Sequence, residues 1–269
     1  MTALLEVQDA AVHFGGVKAL DGVSLTIEPG TLCGMIGPNG SGKSTLLGAI
    51  SRLTNLTSGR LILEGQEYTR VAPHRANAVG IARTFQTVRL LESMTVLGNV
   101  MVGAATRAVQ RGALSNWLFV TRAWADNRGA RRGAERALER VGMTEFADAY
   151  PQDLPYGRQR HVEIARALAS EPRLLLLDEP TAGMNHAERD EVGDLLMALS
   201  AGGLTQVLVE HDLAMIHRVC SHTFALNFGK VIASGTPSEV SRTEPVREAY
   251  LGHGAAGTMA AHSAKEQAP

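Results

Sequence analysis

A lysine and a hydroxyl side by side, at the end of a run punctuated by glycines, form the densest chemistry in this chain. Gly37, Pro38, Asn39, Gly40, Ser41, Gly42, Lys43, Ser44 and Thr45 read GPNGSGKST, the G-x-x-x-x-G-K-[ST] pattern that cradles phosphate. Glycine at 37, 40 and 42 lets the backbone bend sharply and approach an anion without a Cβ in the way. Backbone N–H groups and the positive end of the following helix then face the phosphates. Lys43 is placed to reach β- and γ-phosphates, and the Ser44 hydroxyl to ligate Mg²⁺. An ordinary Gly-rich turn is the competing reading. The flanks decide against it: an apolar run, Thr31 to Ile36, precedes the loop, and a helical pattern, Lys43 to Leu53, follows it.

Two later stretches offer what a phosphate loop needs as partners. Leu174 to Leu177 is a continuous apolar run closed by Asp178 and Glu179. Such a run reads as a strand buried on both faces. It delivers both carboxylates to the strand's carboxyl end, where ligands of open α/β sheets gather. There Asp178 can hold Mg²⁺, directly or through water, opposite Ser44. Glu179 is suited to orient or deprotonate the water that attacks a γ-phosphate. By itself, an apolar run ending in Asp-Glu is equally a plain strand end; downstream of a phosphate loop it becomes a candidate site. His211 follows the strand-like Gln206 to Glu210, in VEHD. An imidazole there can bond the γ-phosphate or hold the attacking water, and a turn or helix-capping histidine is the plainer alternative.

The elements that must position these groups are legible in outline. Leu4 to Phe14 alternates loosely, Gly15-Gly16 turns the chain, and Val23 to Ile27 alternates cleanly up to Pro29-Gly30; both read as strands. Arg60 to Leu63 and Gly80 to Phe85 are further strand candidates. From Val96 to Ala169, strand patterns give way to Ala, Arg and Leu, as in helices. Between Arg107 and Arg140, eight arginines stand against Asp126, Glu135 and Glu139. A solvated helical face is the simpler reading, and a surface for a protein partner or lipid headgroups the sharper one. Trp117, Phe119 and Trp124 fall in this stretch and read as packing. Strand and helix alternate again from Arg173. A helix over His186 to Ser200 carries Val192, Leu195, Leu196 and Leu199 on one stripe, and strands follow at Gln206 to Val209 and Phe224 to Phe228. The tail, Gly252 to Pro269, is rich in Ala, Gly and His and is expected to be disordered.

Composition sets outer bounds. The 269 residues are 45% hydrophobic and 4% aromatic, ample for one large core or two small ones. A formal net charge of -1 provides no bulk field to draw the chain onto nucleic acid or anionic lipid. Cys33 and Cys220 are too few for a disulfide framework and are expected as buried, reduced thiols. No signal peptide is read at the start, and no run reaches the roughly 18 apolar residues of a membrane span. The expected place is the cytoplasm, with any membrane link made through a partner.

In chain order, GPNGSGKST, RTFQ ending in Gln86, LPYGRQRHVEIARAL, LLLLDEPTAGMN and VEHD resemble the motifs of an ATP-binding cassette (ABC) ATPase over roughly residues 4 to 251. RTFQ, the Tyr-Gly pair, AGMN and the closing AYLG look like the LivG-type ATPase subunit of branched-chain amino-acid importers. The resemblance implies an α/β P-loop NTPase fold. An N-terminal antiparallel β subdomain and a RecA-like core would occupy residues 1–95 and 170–251. A helical subdomain carrying the signature would be inserted over 96–169, making one domain over 1–251 with the tail at 252–269. It implies ATP and Mg²⁺ as ligands, with Phe14 stacked on adenine and strand packing as its rival. Gln86 would touch Mg²⁺ or water and link the site to the helical subdomain. Asp178, Glu179 and His211 would take the roles given above, and Asn185 would face a second subunit. The implied partners are that second ATPase subunit, integral membrane permease subunits and a solute-binding protein. A short permease helix would enter a groove beside the helical subdomain, on the inner face of the cytoplasmic membrane.

The family signature LSGGQ is replaced here by Leu154, Pro155, Tyr156, Gly157 and Arg158. Gly157 keeps the close backbone approach at the start of the next helix, Arg158 to Ala169, and Tyr156 is usual in the importer subgroup. Pro155 stands for a serine whose hydroxyl and N–H would face the γ-phosphate held on the opposite subunit, and proline supplies neither donor. A heterodimer is therefore expected, hydrolysing at this chain's own loop and more weakly at the partner's. The alternative is a soluble ABC ATPase acting on nucleic acid or ribosomes. That class usually carries a second cassette, a long coiled coil or a basic arm, none of which is read here. A small P-loop kinase or GTPase would have no use for the Tyr-Gly signature or for His211.

Overall fold

The computed structural model describes residues 3–110 and 128–251. The loosely alternating start forms β1 (Leu5–Phe14), which turns at Gly15-Gly16 and pairs antiparallel with β2 (Val17–Ile27). β2 begins earlier than its alternation predicts, because its first residues are exposed and carry no inward-outward pattern. β4 (Ser58–Leu63) and the short β5 (Gln66–Glu67) complete an antiparallel sheet of order β2-β1-β4-β5.

The second sheet collects the continuous apolar runs. Its strands are β3 (Leu32–Ile36), β6 (Ile81–Arg83), β7 (Leu174–Asp178), β8 (Thr205–Val209), β9 (His222–Asn227) and β10 (Lys230–Gly235), in the order β10-β9-β3-β8-β7-β6. All neighbours are parallel except β9 and β10. β3, β7 and β8 are buried at every residue, as runs without alternation must be when both faces are covered. β10 was not anticipated: an edge strand with Lys230 and Ser234 in it lacks the apolar signal of its neighbours.

Nine helices are described: α1 (Lys43–Ile50), α2 (Ala76–Val79), α3 (Val96–Gln110), α4 (Arg128–Arg140), α5 (Tyr156–Leu168), α6 (His186–Ala201), α7 (Leu213–Val219), α8 (Pro237–Arg242) and α9 (Glu244–Leu251). α1 stops short of the expected Leu53, because Arg52 takes a left-handed φ of 62° and sends its guanidinium to Val71 O and Asn55. α5 starts at Tyr156 rather than Arg158, since Pro155 fits the N-cap with φ -55°. α6 buries Val192, Leu195, Leu196 and Leu199 as its stripe predicts.

α3, α4 and α5 pack together. α4 buries Ala130, Ala134, Ala137 and Leu138 and exposes Arg131, Arg132, Arg136 and Arg140 on its outer face. Trp117, Phe119 and Trp124, and the tail from 252 to 269, lie outside the described residues. Cys33 and Cys220 are free and buried.

Two features of the helical packing yield measurable expectations. A Cβ on Gly103 of α3 would lie 1.9 Å from the Arg166 carbonyl oxygen of α5, a backbone atom that cannot step aside. Gly103→Ala should therefore cost roughly 1–3 kcal/mol, read as a lower urea midpoint with an unchanged slope. His161 of α5 is buried, with Nδ1 donating to Val141 O at 3.2 Å and Nε2 without a partner. Burial disfavours the imidazolium and lowers its pKa from 6.5, so the folded chain binds fewer protons than the unfolded one as pH falls. Its stabilising contribution is complete above pH 6.5 and is lost as the folded pKa is passed on acidification. The urea midpoint should fall between pH 7 and 5, and His161→Leu should flatten that slope.

Candidate active site

The glycine-rich loop leaves the carboxyl end of β3 and runs into α1. Gly37 has φ 147° and a Cβ there would lie 2.2 Å from Leu226 O; Gly42 has φ 107° and a Cβ would lie 2.7 Å from Ala19 O. No other residue fits either place. Pro38, Ser41 and Lys43 are buried, whereas Asn39, Gly40 and Ser44 are exposed and Thr45 is half-buried. Lys43 folds back on the loop, its Nζ donating to Gly37 O at 2.7 Å, to Pro38 O at 2.9 Å and to Ser41 Oγ at 3.5 Å. Burial pushes its pKa down, and the nearby carboxylates of Glu179 and Asp178 pull it back up. The ammonium thus lies within electrostatic reach of both acids.

β7 delivers those acids as its apolar run predicts. Asp178 Oδ2 accepts from Arg83 Nη2 at 2.8 Å, with both side chains nearly buried. Arg83 sits on the adjoining β6 and opens the RTFQ motif, where the sequence assigned it no role. Glu179 leaves the strand with a left-handed φ of 47°, its N–H held by Val209 O at 2.9 Å. Its Oε2 accepts from Gln86 Nε2 at 2.8 Å, and its Oε1 lies 2.6 Å from His211 Nε2. Gln86, Glu179 and His211 come from three separate segments and meet at one carboxylate. The capping alternative for His211 is overturned: Asp212 caps α7, accepting from the N–H groups of Ala214 at 2.9 Å and Met215 at 3.4 Å. Strand packing is likewise overturned for Phe14, which is 57% exposed at the β1–β2 turn.

Buried charges behind this edge were missed in the sequence. Glu210 accepts from Thr181 N–H at 3.0 Å and Thr181 Oγ1 at 2.7 Å. Burial raises its pKa while those bonds lower it, and it ties the segment after Glu179 to the end of β8. Arg160 of α5, fully buried, donates to the carbonyls of Phe85 and Gln86 at 2.7 Å each and to Glu163 at 2.5 Å. The available signal was charge set against apolar neighbours: Glu210 directly after the run Val207-Leu208-Val209, and Arg160 and Glu163 flanking Val162 in a helix with Ile164 and Leu168 on its buried side.

The remaining candidates lie on two helix starts. Pro155 is the N-cap of α5 and leaves its first turn without a side-chain cap. Tyr156 is 38% exposed there, and a Cβ on Gly157 would meet the Glu188 side chain at 3.3 Å. Asn185 caps α6, accepting from Glu188 N–H at 3.0 Å while Glu188 Oε2 accepts from Asn185 N–H at 3.1 Å.

A carboxylate gripped by an amide and an imidazole, beside an ammonium and a loop open to anions, suits hydrolysis of a phosphoanhydride. Ser44, Gln86 and Asp178 offer oxygens, the donors Mg²⁺ takes together with phosphates and water. Among the described residues no group of three His, Cys, Asp or Glu could hold a metal without such phosphates. No helix among them is long and apolar enough to cross a membrane.

Comparison with known proteins runs the same way. The sequence model of the branched-chain amino acid ATP-binding cassette transporter family matches residues 230–256. The chain is 38% identical, over 93% of its length and 98% of the relative, to the high-affinity branched-chain amino acid transport ATP-binding protein BraF of Pseudomonas aeruginosa. It is 34% identical to LivG of Escherichia coli K12, with the same two coverages. Among solved structures, a nucleotide-free ATP-binding cassette from an ABC transporter superposes with TM-score 0.81 at 31% identity, over 92% of this chain and 98% of that one. The ADP conformation of such a cassette gives 0.80 at 30% identity, over 94% and 100%. The ABC transporter model itself matches residues 20–182, a span that takes in the phosphate loop, Gln86 and both carboxylates, and on that ground the chain belongs to the ABC transporter family of ATP-binding cassettes.

Proposed function

We propose that this chain is the ATP-binding and hydrolysing subunit of an importer for branched-chain amino acids. The observation that carries the reading is Glu179, held between Gln86 at 2.8 Å and His211 at 2.6 Å at the strand end beside the phosphate loop. The names of BraF and LivG and the C-terminal match at residues 230–256 support the class of solute. A nucleic-acid or ribosomal role is not favoured by these relatives.

In this reading residues 1–251 form one ATPase domain, with the helical part at 96–169 between the β subdomain and the RecA-like core. The loop amides from Gly37 to Thr45 bind the phosphates, and Phe14 lies under the adenine. Lys43 turns from the Gly37 and Pro38 carbonyls to the β- and γ-phosphates. Glu179 orients the attacking water and takes its proton, while His211 and Gln86 keep the carboxylate aimed. Ser44, Gln86 and Asp178 would hold Mg²⁺, which supplies charge neutralisation at the phosphates when bound. Two ATPase subunits close head to tail, each loop facing the other's signature. They work against permease subunits at the inner face of the cytoplasmic membrane, fed by a solute-binding protein.

The pairing is with a second, different ATPase chain. The uncapped start of α5 still offers the N–H groups of Tyr156 and Gly157 to a partner's γ-phosphate, but Pro155 contributes none. Loss of one such donor typically costs ~10²–10³ in rate. Glu179→Gln in this chain should therefore silence most turnover of the mixed pair, and the equivalent change in the partner should remove little; equal losses would overturn the asymmetry. Reconstitution with the permease and partner subunits in vesicles tests the solute, with leucine, isoleucine or valine on their binding protein expected to stimulate hydrolysis. Stimulation by none of them, in vesicles that hydrolyse ATP, would reject that solute class.

A further inference from the structure

The last described helix, α9, reaches back to the phosphate loop. α9 buries Val246 and Ala249 in the core, which leaves Tyr250 beside the start of the phosphate loop. Its hydroxyl accepts from the Gly37 N–H at 3.0 Å, across 213 residues of sequence. Burial raises the phenol's pKa, and the bond from Gly37 N–H opposes that. Among the described residues, Tyr250 is the side chain from outside the loop that bonds to it.

Gly37 has no side chain with which to hold itself, and Leu226 O leaves no room for one. Its peptide groups are held from two sides instead. Tyr250 takes the N–H, and Lys43 Nζ takes the carbonyl at 2.7 Å. These two holds differ in what becomes of them. A lysine that turns toward phosphates abandons the Gly37 and Pro38 carbonyls, and the bond to Tyr250 is then the side-chain hold left on the loop's first residue.

We propose that Tyr250 is a positioning residue for the nucleotide, and that α9 through this bond sets the loop's affinity for a triphosphate. The proposal rests on the reading of residues 37–45 as the ATP-binding loop. Tyr250 touches no nucleotide in it. When the hydroxyl is absent, Lys43 still anchors the ligand-free loop, which relaxes until the Gly37 N–H reaches water. Nucleotide binding must then reverse that relaxation, so the cost falls on affinity and not on ligand-free stability.

Tyr250→Phe keeps the ring and removes the acceptor alone. The full-length variant should bind the fluorescent analogue MANT-ATP about five- to tenfold more weakly, the effect of one lost hydrogen bond to a buried donor. KM for ATP in the assembled transporter should rise alike, with kcat at saturation within about twofold. Its melting temperature without nucleotide should stay within about 2 °C of the parent. An unchanged Kd and KM would overturn the proposal, as would weakened binding matched by a comparable loss of ligand-free stability. Failure of the unaltered chain to bind MANT-ATP would overturn the nucleotide reading beneath it. Tyr250→Leu, which also removes the ring, should lower the melting temperature and so separates packing from the hydroxyl's contribution.

Discussion

Three parallel strands must end level for this site to assemble. Met35 of β3 and Asp178 of β7 both register with Val209 of β8. The loop at Gly37, the acidic pair and the Glu210-His211 step therefore leave the sheet side by side. Side chains alternate along a strand, so a slip of one residue in β7 would turn Asp178 to the opposite face. Burial fixes the register. Every residue of β3, β7 and β8 is buried, and truncating a core leucine typically costs about 2–5 kcal/mol. Leu174 to Leu177 serve as core, and through the same contacts they aim two carboxylates.

The charged groups at this edge satisfy one another. Lys43 is buried but close to Asp178 and Glu179, and Asp178 is paired with Arg83. Glu179 holds a left-handed backbone that costs of order 1–3 kcal/mol, offset by its bond to Val209 O and by the two side chains on its carboxylate. Phosphate oxygens and an attacking water can replace these contacts one for one. In the proposed function Lys43 would trade the Gly37 and Pro38 carbonyls for phosphates, and Glu179 part of its grip for a water. Little has to be desolvated anew when the ligand arrives, because the protein's own dipoles already stand where solvent would.

What could be read in advance was local. The phosphate loop needs glycine at fixed offsets, and an apolar run closed by two acids needs only five or six consecutive residues, so both survive in a single sequence. Arg83, Arg160, Glu210 and Tyr250 fall inside motifs legible in the sequence, but what each of them does could not be found that way, because each acts on a residue distant in sequence, 75 positions away for Arg160 and Phe85 and 213 for Tyr250 and Gly37. In its own segment each resembles an ordinary strand or helix residue. Asn185 was legible through its neighbourhood, and the bond it makes within the chain is equally local, a helix cap with Glu188. Element limits failed where a single backbone angle overrode periodicity, at Arg52 beyond α1 and at Pro155 before α5.

The same buried guanidinium that escaped notice joins the two halves of the site. α5 carries Pro155, Tyr156 and Gly157 at its start and Arg160 one turn in. Arg160 grips the carbonyls of Phe85 and Gln86, and the Gln86 amide rests on Glu179. Rotation of α5 against the sheet must therefore either drag Gln86 or strip a buried charge of its partners. Glu163 rides on the same helix and moves with Arg160, so the bonds at stake are those to the Phe85 and Gln86 carbonyls. Leaving a buried charged donor without its partners typically costs more than about 1–3 kcal/mol, so dragging Gln86 is the cheaper course. Phe85, with the Arg83 and Arg89 guanidinium carbons 5.7 and 5.6 Å from its ring centre, ties the same segment to the arginine that holds Asp178. Any rotation of α5 would thus reach both carboxylates through one short segment. Coupling between equilibria being reciprocal, a ligand at the carboxylates would then bias the orientation of α5 by the same free energy.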